Sequence, residues 1–120
     1  MSAPALPYEF VAMLTDIDES IPFAAQLDDG LRICLVRDGS AVFAFLDRCP
    51  HRDFPLSGGD LVKSCVLECP WHGARFDVRT GGVLQGPATD ALFKLQVRVE
   101  DDRVLVARDP GLSPQVDRHA

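Results

Sequence analysis

The sequence predicts an all-β fold, an antiparallel β-sandwich or partly open barrel, and three features carry that reading. Apolar Phe93, Leu95, Val97 and Val99 alternate with Lys94, Gln96, Arg98 and Glu100, the period of a half-buried strand. Turn-forming clusters recur at short intervals, at DDG (28–30), RDGS (37–40), RTGG (79–82) and EDD (100–102). No segment sustains a 3.6-residue apolar period between caps, so little or no helix is expected, and no internal repeat is visible.

Taken in order, strands are expected at YEFVAML (8–14), IPFAAQL (21–27), LRICLV (31–36), AVFAFL (41–46), CVLE (65–68), ARFDV (74–78), the alternating run 93–100 and RVLVA (103–107). The whole of LVKSCVLE (61–68) reads as strand. Strands of about five residues at this spacing suit a sandwich or barrel. The ends, 1–7 and 109–120, read as mobile tails, and His119 in the second reads as solvated.

A chain of 120 residues, 47% apolar, is long enough for one domain with a real core and too short for two, so 1–120 is taken as a single domain. The longest apolar run, AVFAFL, is far short of the roughly 20 residues that span a bilayer, and the first residues lack a basic n-region followed by an apolar stretch. No membrane association and a cytoplasmic location are therefore expected. A net charge of −6 argues against nucleic acid as a partner.

The charge is uneven. Glu9, Asp16, Asp18, Glu19, Asp28 and Asp29 all precede the first basic residue, Arg32. Over 48–82, by contrast, Arg48, Arg52, Lys63, Arg75 and Arg79 face Asp53, Asp60, Glu68 and Asp77. Acidity away from a near-neutral tip suits long-range attraction to a basic partner, and it equally serves solubility.

Two stretches break the strand rhythm, 48–60 and 69–73. The first holds Cys49-Pro50-His51 and the second Cys69-Pro70-Trp71-His72. Two adjacent loops, each with one thiol and one imidazole, are placed to converge on one site from the same end of a sheet. Gly58, Gly59 and Gly73 are the residues that permit tight turns or close backbone approach there. Two thiolates and two imidazoles form a soft four-ligand set, suited to zinc or iron–sulfur chemistry rather than magnesium or calcium. Structural zinc sites usually group Cys with Cys and His with His. Mixed arrays suit a two-iron cluster in which one iron takes both Cys and the other both His. Cys34 and Cys65 lie in strand-like segments and read as small buried residues rather than ligands.

The C-x-H array, followed after 17 residues by C-x₂-H, resembles the Rieske-type [2Fe–2S] proteins. The resemblance covers roughly residues 8–107 and includes CPHRDFPLSGGDL, CPWHGARFD, RTGGVL, Gly86-Pro87-Ala88 and VEDDRVLV. It implies a Rieske-type β-sandwich or partly open barrel with a small cluster-binding subdomain, whose loops run about 48–60, 69–77 and 86–88. It also implies one cluster, with Cys49 and Cys69 on one iron and His51 and His72 on the other, and Gly86-Pro87 in the covering third loop. The respiratory Rieske proteins carry an extra Cys in each loop, joined as a disulfide. Phe54 and Trp71 stand there in this chain, so it resembles the soluble, disulfide-free branch, and both aromatics are expected to pack over the cluster, with part of a docking tip as the alternative. The same respiratory proteins place Ser and Tyr hydroxyls near the cluster, where this chain has Ala74 and Phe76. Such donors stabilise the more negative reduced state, so their loss predicts a low midpoint, on the order of −150 mV. The family's frequent aromatic in the last alternating strand is here Leu95.

A fully ligated cluster has no open coordination position, so no catalytic residue is assigned. What the resemblance implies is a one-electron carrier, a ferredoxin passing electrons from an NAD(P)H-dependent flavin reductase to a terminal oxygenase, as in bacterial ring-hydroxylating dioxygenase systems. The chain is expected not to be a complete oxygenase, since only His119 remains for a second iron site. Two alternatives stay open: the small Rieske-like subunit of an assimilatory NADH-dependent nitrite reductase, and a zinc-bound structural or redox-sensing module.

Overall fold

The computed structural model describes residues 8–49, 55–70, 73–86 and 91–107. Their strands are β1 (Glu9–Met13), β2 (Phe23–Gln26), β3 (Arg32–Asp38), β4 (Ala41–Leu46), β5 (Asp60–Lys63), β6 (Val66–Glu68), β7 (Arg75–Asp77), β8 (Val83–Gln85), β9 (Lys94–Glu100) and β10 (Arg103–Ala107). The fold is all-β; helix among the described residues is limited to two 3₁₀ turns, Leu14–Asp16 and Leu56–Gly58. Both tails, and His119 with them, lie outside the described residues.

Each turn cluster read from the sequence closes a hairpin or a tight reversal. Between β9 and β10, Asp101 and Asp102 both adopt positive φ, 52° and 62°. A two-residue hairpin turn with the twist of its strands needs that conformation, and the short polar Asp side chain tolerates it. The register that follows sets Val104 opposite Val99 and Val106 opposite Val97. Gly39 (φ 65°) turns β3 into β4, and Gly81 (φ 80°) sits in the turn from β7 to β8.

The strands form a six-stranded antiparallel sheet of order β1-β10-β9-β4-β3-β2 and a four-stranded sheet of order β5-β6-β7-β8. The larger sheet curls into a nearly closed barrel whose end strands approach one another. There the Asp28 N–H donates to Glu9 Oε1 at 2.7 Å, and Arg37 Nη1 donates to the carbonyls of Leu14 and Ile17 at 3.1 and 3.3 Å.

Two apolar cores share one wall. Ile33, Leu35, Val42, Ala44, Leu95, Val104 and Val106 fill the barrel. Cys34, Val36 and Phe45 point the other way, into a second core with Leu56, Leu67, Ala74, Phe76 and Val78 beneath the smaller sheet. Strand β3 is therefore covered on both faces, which explains why Ile33-Cys34-Leu35-Val36 is a continuous apolar run rather than an alternating one. Each fully buried Phe or Leu in these cores contributes roughly 1.5–3 kcal/mol by removal from water.

The segment 61–68 departs from its expected form. It is a hairpin, not one strand: β5 ends at Lys63, Ser64 and Cys65 form the turn with Cys65 at φ 60°, and β6 begins at Val66. Strand β8 likewise carries no strand signal in the sequence. Strands of three or four residues at a sheet edge bury too few side chains to show alternation. Among the described residues no helix is long and apolar enough to cross a membrane.

Candidate metal centre

Cys49 leaves the end of β4 and Cys69 leaves the end of β6, and both side chains are fully buried, at 0% and 1% exposure. They belong to the same apolar core, in the company of Leu56, Ala74 and Phe76. His51 and His72, the other two expected ligands, lie outside the described residues, as do Phe54, Trp71, Pro87 and Ala88. Gly86 is described, as an exposed bend just after β8. Among the described residues no three His, Cys, Asp or Glu side chains cluster at metal-binding separation.

The register of the small sheet brings the two loops to one end. Asp60, at the start of β5, pairs with Glu68, at the end of β6, so the chain leaves the first loop beside the point where it enters the second. Gly59 makes this possible. A Cβ at that position would stand 2.1 Å from the Glu68 carbonyl oxygen and 3.2 Å from that of Leu56, so only glycine lets the backbones pass so closely. Gly58 beside it faces open space, and Gly73 supplies a positive φ of 71° within the second loop. Close approach was expected of these glycines; the structure assigns it to Gly59.

Further bonds close each loop. Across the second, the Cys69 N–H donates to the Ala74 carbonyl at 2.7 Å and Arg75 Nε donates to Glu68 Oε2 at 3.0 Å. Gln85 Nε2, on β8, donates to the Gly73 carbonyl at 3.3 Å. Across the first, the Ser57 N–H and hydroxyl donate to Asp47 Oδ1 and Oδ2 at 2.7 and 2.6 Å. Asp47 is a buried carboxylate at 7% exposure. Asp47, Ser57 and Gln85 carry no signal in the sequence, because contacts ten or more residues apart leave no periodic pattern. An open groove of about 440 Å³ borders the first loop, lined by Leu31, Arg32, Asp47, Arg48 and Pro55 among others.

All four cysteines are buried and none forms a disulfide, but their surroundings separate them into two pairs. Cys34, on β3, has its thiol pushed well above the ordinary value by burial and further by the Asp47 charge, so it stays protonated. Cys65, in the far turn, is raised by burial, and its Sγ donates to Asp38 Oδ2 at 3.4 Å, which in turn accepts from Arg79 Nη2 at 3.4 Å. Both are buried, as expected. Cys49 and Cys69 sit where loops leave the sheet, and they alone of the four stand in the Cys/His arrays. Ala74 and Phe76 are both fully buried in the same core, so that core receives no hydroxyl from either position.

The described residues thus form an all-β barrel carrying a small four-stranded sheet, with two buried thiols at the ends of strands whose loops leave from one end of that sheet. A profile of the Rieske [2Fe-2S] domain matches residues 10–101, and the chain belongs to that family. Its similarities extend to human apoptosis-inducing factor 3, 40% identical over 75 residues, which are 62% of this chain and 12% of that protein. They extend also to the 3-phenylpropionate/cinnamic acid dioxygenase ferredoxin subunit of Escherichia coli K12, 36% identical over 83 residues, 69% of this chain and 78% of the subunit. The chain thus spans only about an eighth of the first relative and most of the second. Among solved structures, the ferredoxin of carbazole 1,9a-dioxygenase from Nocardioides aromaticivorans IC177 superposes with a TM-score of 0.78 at 34% identity, over 85% of this chain and 98% of that one. A chain from the complex of reduced oxygenase and oxidized ferredoxin in carbazole 1,9a-dioxygenase superposes with a TM-score of 0.76 at 30% identity, over 82% and 100%.

The group of this family is one Rieske-type [2Fe–2S] cluster. The described donors fit it: two unlinked thiols, shielded from water in one apolar core, on backbones tied together at a single end of a sheet.

Proposed function

We propose that this chain is a one-electron carrier, a Rieske ferredoxin that passes electrons from an NAD(P)H-dependent flavin reductase to a terminal oxygenase. The observation that carries the reading is the pair of buried, unlinked cysteines at the converging loops of a domain that covers nearly the whole of a dioxygenase ferredoxin. Support for the oxygenase as acceptor comes from the relatives, which include a dioxygenase ferredoxin subunit and a chain of an oxygenase–ferredoxin complex. The reductase is inferred from the chemistry: a one-electron carrier needs a donor that divides the electron pair of a nicotinamide.

The proposed ligands are Cys49 and Cys69 for one iron and His51 and His72 for the other. When bound, the cluster supplies a one-electron couple. The protein's part is to hold the thiolates away from water in the core with Leu56 and Phe76, and to fix loop geometry through Gly59 and the bonds at Asp47, Glu68 and Cys69. Restricting the ligands in this way limits rearrangement on electron transfer. In the surface groove, Arg32 and Arg48 add positive charge beside the first loop in a chain of net charge −6. That local charge gives a partner an orientation cue near the ligand-bearing end.

Iron and acid-labile sulfide are to be measured on anaerobically purified protein, with a low-temperature paramagnetic resonance spectrum after dithionite reduction. Equal iron and sulfide and a rhombic signal of low average g are expected; zinc, or no metal, would remove the carrier reading. Replacing Cys49 or Cys69 with Ala is expected to abolish both iron and sulfide, and His51→Cys to shift the signal toward higher average g.

A further inference from the structure

We propose that Asp47 and Ser57 form a clasp that closes the first cluster loop, making them positioning residues for retention of the cluster at Cys49. The inference rests on the proposed ligation of a [2Fe–2S] cluster by Cys49.

Both carboxylate oxygens of Asp47 are engaged by one residue, Oδ1 by the Ser57 N–H at 2.7 Å and Oδ2 by its hydroxyl at 2.6 Å. The bonds join positions ten residues apart in the chain, and Cys49 lies between them in sequence. Each end of the clasp is itself fixed. The Asp47 N–H donates to the Arg32 carbonyl at 3.1 Å, which holds Asp47 to β3. Ser57 lies in the 3₁₀ turn Leu56–Gly58, where the Gly58 and Gly59 N–H groups donate to the carbonyls of Pro55 and Leu56 at 3.2 and 2.9 Å. The Leu56 side chain, fully buried, anchors that turn in the core that holds both cysteines.

A carboxylate is costly to bury, and a serine hydroxyl in a loop has water as an alternative partner. Their joint placement makes sense as a fastener. None of the four cysteines is used in a disulfide, so the closure of this loop is non-covalent. Two part-buried hydrogen bonds to one charged acceptor fasten it more strongly than neutral hydrogen bonds would. A loop that opens exposes its ligands to solvent and to competing chelators. The clasp therefore acts on the lifetime of the cluster rather than on its chemistry.

The test is the rate of iron release from the reduced protein to a ferrous chelator, bathophenanthroline, followed by absorbance. Ser57→Ala is expected to accelerate release about ten- to a hundredfold, the range set by a hydrogen bond to a charged group. Ser57→Thr keeps the hydroxyl and the N–H and should stay within about twofold of the parent rate. Asp47→Ala should accelerate release at least as much as Ser57→Ala, and Asp47→Ala with Ser57→Ala should release iron no faster than Asp47→Ala alone. Val104→Ala, in the barrel core away from the loop, serves as the control for general destabilisation and should leave release unchanged. Parent-like release from Ser57→Ala, release no faster than from the Val104→Ala control, or single effects that multiply in the double variant would each overturn the clasp. A parent chain without equimolar iron and sulfide overturns the cluster reading and the retention role with it. Protection of the Ser57 amide in hydrogen exchange, present in the parent and lost in Asp47→Ala, then decides whether the clasp itself stands.

Discussion

Gly59→Ala should damage this protein far more than Gly58→Ala, although the two substitutions add the same methyl group to adjacent residues. At Gly59 the new Cβ would lie 2.1 Å from the Glu68 carbonyl oxygen, whereas real Cβ contacts stay beyond 3.0 Å. The first loop and β6 must then separate by about 1 Å, and because all three close atoms, Glu68 O, Glu68 C and Leu56 O, are backbone, no side chain can swing aside to relieve the contact. Overpacking of this kind costs about 1–3 kcal/mol, and the rigid neighbours place this case at about 3. Against a total stability of about 5–15 kcal/mol, the melting temperature should fall by roughly 10–20 °C. At Gly58 nothing lies within 4 Å and φ is not positive, so Ala there should be neutral or stabilise by about 0.4–1 kcal/mol. Parallel thermal unfolding of the two variants, followed by circular dichroism, reads the difference. Equal melting temperatures would refute the claim that a close backbone crossing joins the two loops.

Two further outcomes follow from the core around the cysteines. Phe76→Tyr should raise the midpoint potential of the loaded protein: a hydroxyl that favours the reduced state by about 1 kcal/mol is worth roughly 40 mV in a one-electron couple. Direct electrochemistry checks this, together with the low parent value, on the order of −150 mV, expected for a core without those hydroxyls; a clearly positive parent midpoint would contradict the donor argument. Cys34 should resist alkylation by iodoacetamide in the folded state at pH 9, because burial and Asp47 keep its thiol protonated. Its folded value is raised above the unfolded one, so the stability linked to it is fully present below about pH 9 and is lost as pH climbs through the folded value. Denaturation midpoints across that range should decline less steeply in Cys34→Ala, and an unchanged slope would exclude this linkage.

Local signals carried the secondary structure wherever one face of a strand is wet. The alternation over 93–100 and the paired Asp101-Asp102 turn placed β9, β10 and the hairpin between them, since side-chain period and turn geometry are properties of neighbouring residues. The Cys/His arrays single out Cys49, His51, Cys69 and His72 as the proposed ligand set, because ligand type and spacing lie within short stretches of chain. What only the tertiary structure decided is contact between distant residues: the barrel and small sheet sharing β3 and β4, the passage of Gly59 over Glu68, and the Asp47–Ser57 pair. Cys65 shows the boundary between the two. Its neighbours read as strand, yet it occupies a turn at positive φ because β5 and β6 must fold back on each other to put Asp60 beside Glu68. Pairing of that kind is set by register across a sheet, and register depends on which faces are buried in the assembled fold, a quantity no window of sequence contains.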